Sequence, residues 1–179
     1  KGSLQLKFVS AIICIVVPLL GIIFFWQAMA EERQAWTQMI NQARVLTRQI
    51  ILTRQWVSDS QGVFIRQDSP GAQGGGAFYS DLLPTERGTL QRFTPSMVTK
   101  RLSLYSFSQN LYRFRLAGLA PMNPENRPDD FEMAAIRSFA QSGSQEHYAL
   151  DRRDGDAVFQ YSAPLFVDEA CLSCHKNYT

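Results

Sequence analysis

With 179 residues, a formal net charge of +2 and 19% charged residues, the chain has room for a membrane segment and one globular domain of ordinary size. The charge balance lacks the basic excess of a nucleic-acid binder and the polarity of a disordered chain, so no nucleic-acid partner is expected. A domain of this length buries a core without disulfide staples.

From Phe8 to Trp26 the sequence reads FVSAIICIVVPLLGIIFFW, uncharged and dense in aliphatic residues. A helix of that length crosses the roughly 30 Å hydrocarbon layer. The competing reading is a secretory signal peptide, because Lys1 and Lys7 precede the run and Ala28-Met29-Ala30 resembles a cleavage site. The run exceeds a typical signal core, and Phe24, Phe25 and Trp26 suit the membrane interface, which favours a retained anchor over residues 1–30. Lys1 and Lys7 lie before the span and Glu31 and Glu32 after it. The positive-inside bias then puts the N-terminus in the cytoplasm and the remainder outside.

Trp36, Met39, Ala43, Leu46, Ile50, Thr53 and Val57 recur every three or four residues and predict one amphipathic helix. Neither Gly nor Pro separates it from the span, so a continuous helix is expected. Its apolar stripe is assigned to core packing, with homodimerisation through residues 31–57 as the alternative. The stretch from Asp68 to Gly76 has the composition of a loop, and with no GxxxxGK[ST] pattern after a strand, nucleotide binding is not expected. Thr94-Pro95 reads as a helix start. Residues 112–120 alternate Tyr112, Phe114 and Leu116 with Arg113 and Arg115 and predict a half-buried strand.

Residues 121–128, PMNPENRP, forbid a regular element. Asp129 or Asp130 is then placed to cap a helix containing FEMAAIRSFAQS, with Gly143 ending it. Residues 147–153 and 157–167 predict two strands joined at Asp154-Gly155. The expected fold is α+β, an N-terminal transmembrane helix followed by a small antiparallel sheet with flanking helices, of the PAS-like kind.

The chemistry is concentrated in Cys171-Leu172-Ser173-Cys174-His175. Two thiols at this spacing form thioethers with the two vinyl groups of haem c, and the adjacent imidazole is directed at the iron. Three alternatives exist: a thioredoxin-like pair, half a zinc site and an ordinary disulfide. A thioredoxin-like pair belongs after a strand in a βαβ unit. Zinc needs two further ligands, yet Cys14 lies in the span and His147 is the one other histidine. A disulfide leaves His175 unexplained. For the distal iron position, His147, Met97, Met122 and Met133 are chemically able, as is Met39 outside the span. An empty position would admit a diatomic gas. Arg113, Arg115, Arg152 and Arg153 are candidates to pair with propionates, against the alternative of solvated strand faces. Trp56, Tyr148 and Phe159 could line a porphyrin or simply pack in the core. No Ser-His-Asp set is evident; Asp130 and Glu132 read as capping or solvated groups, and no catalytic residue is expected.

LTRQWVSDSQGVF (52–64), FTPSMVTKRLS (93–103), NPENRPDDFE (123–132) and YSAPLFVDEACLSCH (161–175) together resemble a family of haem c-binding, PAS-like periplasmic domains first catalogued as a domain of unknown function. The resemblance spans roughly residues 31–175. It implies one covalent haem on Cys171 and Cys174 with His175 as a ligand, a periplasmic PAS-like domain over 31–179, and frequent use as a sensory input. Members often read His-Gly-Gly-Val-Tyr where this chain has Ser60-Gln61-Gly62-Val63-Phe64, so no distal ligand is inherited. Members also commonly continue beyond the haem motif, which makes truncation of the domain an expectation. Two roles follow: a redox or gas sensor input, or an electron-transfer or accessory haem subunit of a respiratory or photosynthetic membrane complex. Both place the chain in a bacterial inner membrane as a single-pass protein, beside a redox partner in the second case.

Overall fold

A computed structural model describes residues 2–72, 82–121, 123–153 and 156–166. Compact units cover Lys1–Ala43 and Arg44–Thr179.

The described residues of the first unit are helical, and the helix α1 runs uninterrupted from Gly2 to Asp59. Pro18 sits inside it without ending it, as membrane helices tolerate. Among the described residues this is the one helix long and apolar enough to span a membrane, consistent with a single-pass anchor. Its aliphatic side chains from Phe8 to Trp26 are exposed, which a soluble core helix would avoid.

The second unit takes in the last turns of α1. Leu46, Ile50 and Thr53 are half-buried and Val57 is fully buried, so this part of the predicted stripe does face the core. The helix stops where Gln61 (φ 58°) and Gly62 (φ 107°) turn the chain back, with Gly62 N–H donating to Val57 O at 2.9 Å. A Cβ on Gly62 would stand 2.8 Å from Arg92 Cγ and 3.1 Å from Phe93 O, so both conformation and space require glycine there.

A three-stranded antiparallel sheet follows, absent from the sequence-based expectation. It comprises β1 (Val63–Arg66), β2 (Leu82–Thr85) and β3 (Gly88–Phe93), with β3 in the middle. β2 and β3 form a tight hairpin in which Thr85 pairs with Gly88. Its turn, Glu86-Arg87, lacks the Asn-Gly or Asp-Gly signature. The positive φ falls on Gly88 at 118°, and the Thr85 hydroxyl donates to Gly88 O at 2.5 Å. Gln91 and Phe93 point to the same, buried side of β3.

Helix α2 (Pro95–Ser108) begins as expected, Thr94 Oγ1 accepting from Met97 N–H with Pro95 in the first turn. The predicted strand over 112–120 does not form. Ser103 of α2, 7% exposed, donates from Oγ to Phe114 O at 2.6 Å and accepts from Phe114 N–H at 3.0 Å. One side chain thus satisfies both backbone groups that a neighbouring strand would have taken. The inside-outside alternation survives without the ladder from 113 onward: 114, 116 and 118 are half-buried, 113, 115 and 117 exposed, whereas Tyr112, expected inside, is exposed.

A single 3-10 turn, Pro124–Asn126, interrupts the proline-rich stretch. Helix α3 (Asp130–Ser142) is capped by Asp129 in a reciprocal box with Glu132 and ended by Gly143 at φ 65°. The final hairpin pairs β4 (His147–Arg153) with β5 (Asp156–Ser162) as a separate two-stranded sheet. β5 stops short of the expected residue 167; Pro164, lacking an amide N–H, cannot continue the ladder. The predicted turn residues 154–155 and most of the glycine-rich loop lie outside the described residues. Among the described residues the architecture is therefore α+β with two small antiparallel sheets rather than one.

Candidate cofactor site

Cys171, Cys174 and His175, and the distal candidate Met122, lie outside the described residues. The strand that leads toward the motif is described, as are the remaining distal candidates. His147 opens β4 opposite Ser162, half-buried, with its ring 5.2 Å from that of Phe131 on α3. Met97 and Met133 are half-buried in the first turns of α2 and α3. Among the described residues no group of three or more His, Cys, Asp or Glu side chains is placed to hold a metal ion.

Register divides the hairpin into two faces. His147, Ala149 and Asp151 share one with Ser162, Gln160 and Val158. Tyr148 and Leu150 share the other with Tyr161 and Phe159, and the rings of Tyr148 and Phe159 lie 6.1 Å apart. Two of the aromatic residues suggested as porphyrin-lining are thus brought together, whereas Trp56 stands 61% exposed on α1.

Glu146, just before β4, ties this hairpin to α1. Arg44 donates to it from both Nε (2.8 Å) and a terminal guanidinium nitrogen (2.5 Å), and Tyr161 Oη donates at 3.1 Å. The Arg44 hydrogen bond holds the Glu146 carboxyl below its ordinary range, with Tyr161 adding to the effect and burial opposing it. Burial, then the Glu146 hydrogen bond, raises the Tyr161 phenol. Of the arginines proposed for propionates, Arg115 is committed elsewhere, 3.3 Å from Glu132 and donating to the carbonyls of Glu125 and Arg127. Arg113 lies over the Phe107 ring at 5.7 Å, and Arg152 is exposed.

A groove of about 450 Å³ opens between α1, α2 and the segment after α2. Leu46, Gln49, Ile50 and Thr53 form its α1 wall, and Leu102, Tyr105 and Ser106 its α2 wall, with Gln109 just past the helix end. Leu111, Tyr112 and Phe114 close it, the last held in place by Ser103. The volume suits a small-molecule or cofactor site. Beside it, the Arg101 guanidinium carbon stands 6.0 Å from the Tyr105 ring centroid, and one terminal nitrogen of Arg101 is buried with no hydrogen-bond partner. Sequence reading missed Arg101, because an arginine in a helical pattern reads as solvated; its orphaned nitrogen appears only with the fold.

These features define an α+β domain on a chain with one potential membrane-spanning helix. The chain belongs to the Tll0287-like family, whose model, described as Tll0287, matches residues 32–179 and represents a domain of unknown function. No curated protein and no solved structure matches the chain.

Proposed function

We propose that the chain is a membrane-anchored monohaem c-type cytochrome domain with a PAS-like fold, acting as a redox or gas sensor input. The observation that carries the proposal is the Cys171-Leu172-Ser173-Cys174-His175 spacing, which supplies two thioether-forming thiols and an iron ligand in five residues. His147 and Met122 are the candidates for the second axial position. The N-terminus is assigned to the cytoplasm and the haem domain to the periplasm of a bacterial inner membrane, from the charge bias around the span.

The donor set Cys171, Cys174 and His175 suits such a group by its chemistry. Among the described residues, the groove between α1 and α2 has alkyl and aromatic walls of the kind that shield a macrocycle. Haem supplies one-electron chemistry and, where its sixth position is free, a binding place for a diatomic gas. The chain's own contribution is to hold and shield the macrocycle. The sensory reading is favoured by the continuity of α1 from Gly2 to Asp59 and by the link from Arg44 through Glu146 to Tyr161, near the end of β5. A tethered electron carrier beside a respiratory or photosynthetic complex would use the same haem and anchor.

The test is the spectrum of the denatured, purified chain in alkaline pyridine, against one carrying Cys171→Ser and Cys174→Ser. A haem band that stays with the unsubstituted protein through acid-acetone extraction and is lost from the variant is expected. Its absence from both would end the proposal. Carbon monoxide added to the reduced protein then separates the roles, since an unaltered low-spin spectrum rules out gas sensing.

A further inference from the structure

We infer that α1 carries, beside its core-facing stripe, a seam that pairs with the same seam of a second copy of this chain in a parallel, in-register homodimer. The inference is independent of the haem reading.

The stripe through Leu46, Ile50, Thr53 and Val57 is taken up by the core. A second stripe lies next to it and is bare: Val45 is 66% exposed, Leu52 59% and Trp56 61%. With Gln49 among them, these residues follow the alternating four- and three-residue spacing of a coiled-coil seam. The same rhythm runs back along α1 through Gln42 and Gln38 to Ala35, and every one of these positions is exposed and uncharged. Gln49 also lines the groove, which joins the seam to the exposed Leu102 and Tyr105 of α2 and to Leu111 beyond it. Covered together, the bare parts of Val45, Leu52, Trp56, Leu102, Tyr105 and Leu111 amount to roughly 700 Å² per copy, close to the roughly 800 Å² that each partner gives to a standard stable interface. A second copy is the occupant because the pattern is self-complementary. At equal height each Leu52 meets its own counterpart, and each Gln49 amide finds in its twin both a donor and an acceptor. A polar seam residue of that kind fixes register and helix number while weakening the pair. A helix that lies on anionic lipid carries rows of Lys and Arg beside its apolar face, whereas this seam is interspersed with glutamines. Among the described residues α1 also holds the one run apolar enough to span a membrane, so two copies anchored in one bilayer point the same way.

The test is disulfide trapping of the full-length chain in host-cell membranes, in a Cys14→Ser background. Val45→Cys and Leu52→Cys should each give a covalent dimer on mild oxidation, because parallel, in-register helices bring both positions within about 7 Å of their own counterparts. Leu119→Cys, 70% exposed outside the seam, and the background chain should give none. A dilution series of the full-length chain in detergent then measures association. Leu52→Glu should weaken it about tenfold or more with unchanged circular dichroism, since two carboxylates are forced together. Gln49→Leu should strengthen it about threefold or more, a gain that misfolding does not produce, and Leu119→Glu should do neither. Absence of trapping at both Val45→Cys and Leu52→Cys overturns the inference. So does an association indifferent to both Leu52→Glu and Gln49→Leu, which assigns the contact to the apolar span. A monomeric chain whose fluorescence shifts to the blue on anionic vesicles, with the shift lost in Trp56→Phe, puts lipid on the stripe and overturns it as well.

Discussion

Replacing Ser103 with Ala tests whether one hydroxyl does the work of a missing strand partner. The side chain is 7% exposed, donates to Phe114 O at 2.6 Å and accepts from Phe114 N–H at 3.0 Å. Alanine removes both hydrogen bonds, each worth about 0.5–1.5 kcal/mol net, and leaves two backbone groups of a half-buried residue without them. Allowing for partial rescue by water, the loss should be about 2–4 kcal/mol, large for a substitution that deletes one oxygen. Guanidinium unfolding of the full-length chain in detergent, followed by fluorescence, gives the difference from the midpoints at a common slope. Ser108→Ala is the control: its hydroxyl donates only to Tyr105 O, in the exposed last turn of α2, and should cost within about 0.5 kcal/mol. Hydrogen exchange should quicken at the Phe114 amide. If the two variants lose equally little, the segment is held by something other than Ser103 and the argument fails.

Glu146→Gln should destabilise the protein at neutral pH, and its deficit should shrink on acidification. The native carboxyl titrates below its unfolded value, so its contribution is complete above about pH 4.5 and disappears as pH falls through the native value. Unfolding midpoints at pH 7, 5 and 3.5 report this, and a deficit constant across the series contradicts the Arg44 link as its source. Gly62→Ala should cost about 1–3 kcal/mol, because φ of 107° and the 2.8 Å approach to Arg92 both oppose a methyl group. Gln61→Gly, at φ 58°, should instead gain about 0.5–1 kcal/mol; thermal melts with opposite signs are expected. Asp129→Ala should cost about 1 kcal/mol by removing the cap on Glu132 N–H, visible as reduced helicity and a lower melting point.

The elements with local signals were legible without coordinates. Thr94-Pro95 and the Asp129 to Gly143 frame mark their helices because caps act within one turn, and the closing hairpin declares itself by alternation on both sides of a turn. Residues 112–118 show the limit of that reasoning. Alternation placed Phe114 and Leu116 inward correctly but not Tyr112, which is exposed. Whether a ladder forms depends on what stands beside the chain, and there it is a serine from α2. The three-stranded sheet escaped notice because its strands are short and its tight turn relies on a threonine side chain and Gly88 rather than on Asn-Gly. For the candidate site, the Cys171-to-His175 spacing is local and readable. The orphaned nitrogen of Arg101 and the engagement of Arg115 are tertiary facts that no spacing announces.

Pro84 bears on how such a chain avoids strand-to-strand pairing with its own copies. It lies in β2, an outer strand of the three-stranded sheet, all of whose residues are exposed and which includes Leu82 and Leu83. A bare apolar border of this kind recruits like segments from neighbouring molecules, and a residue with no amide hydrogen interrupts such recruitment. The same ring that weakens β2 as a strand thereby acts as a gatekeeper against self-assembly through that edge.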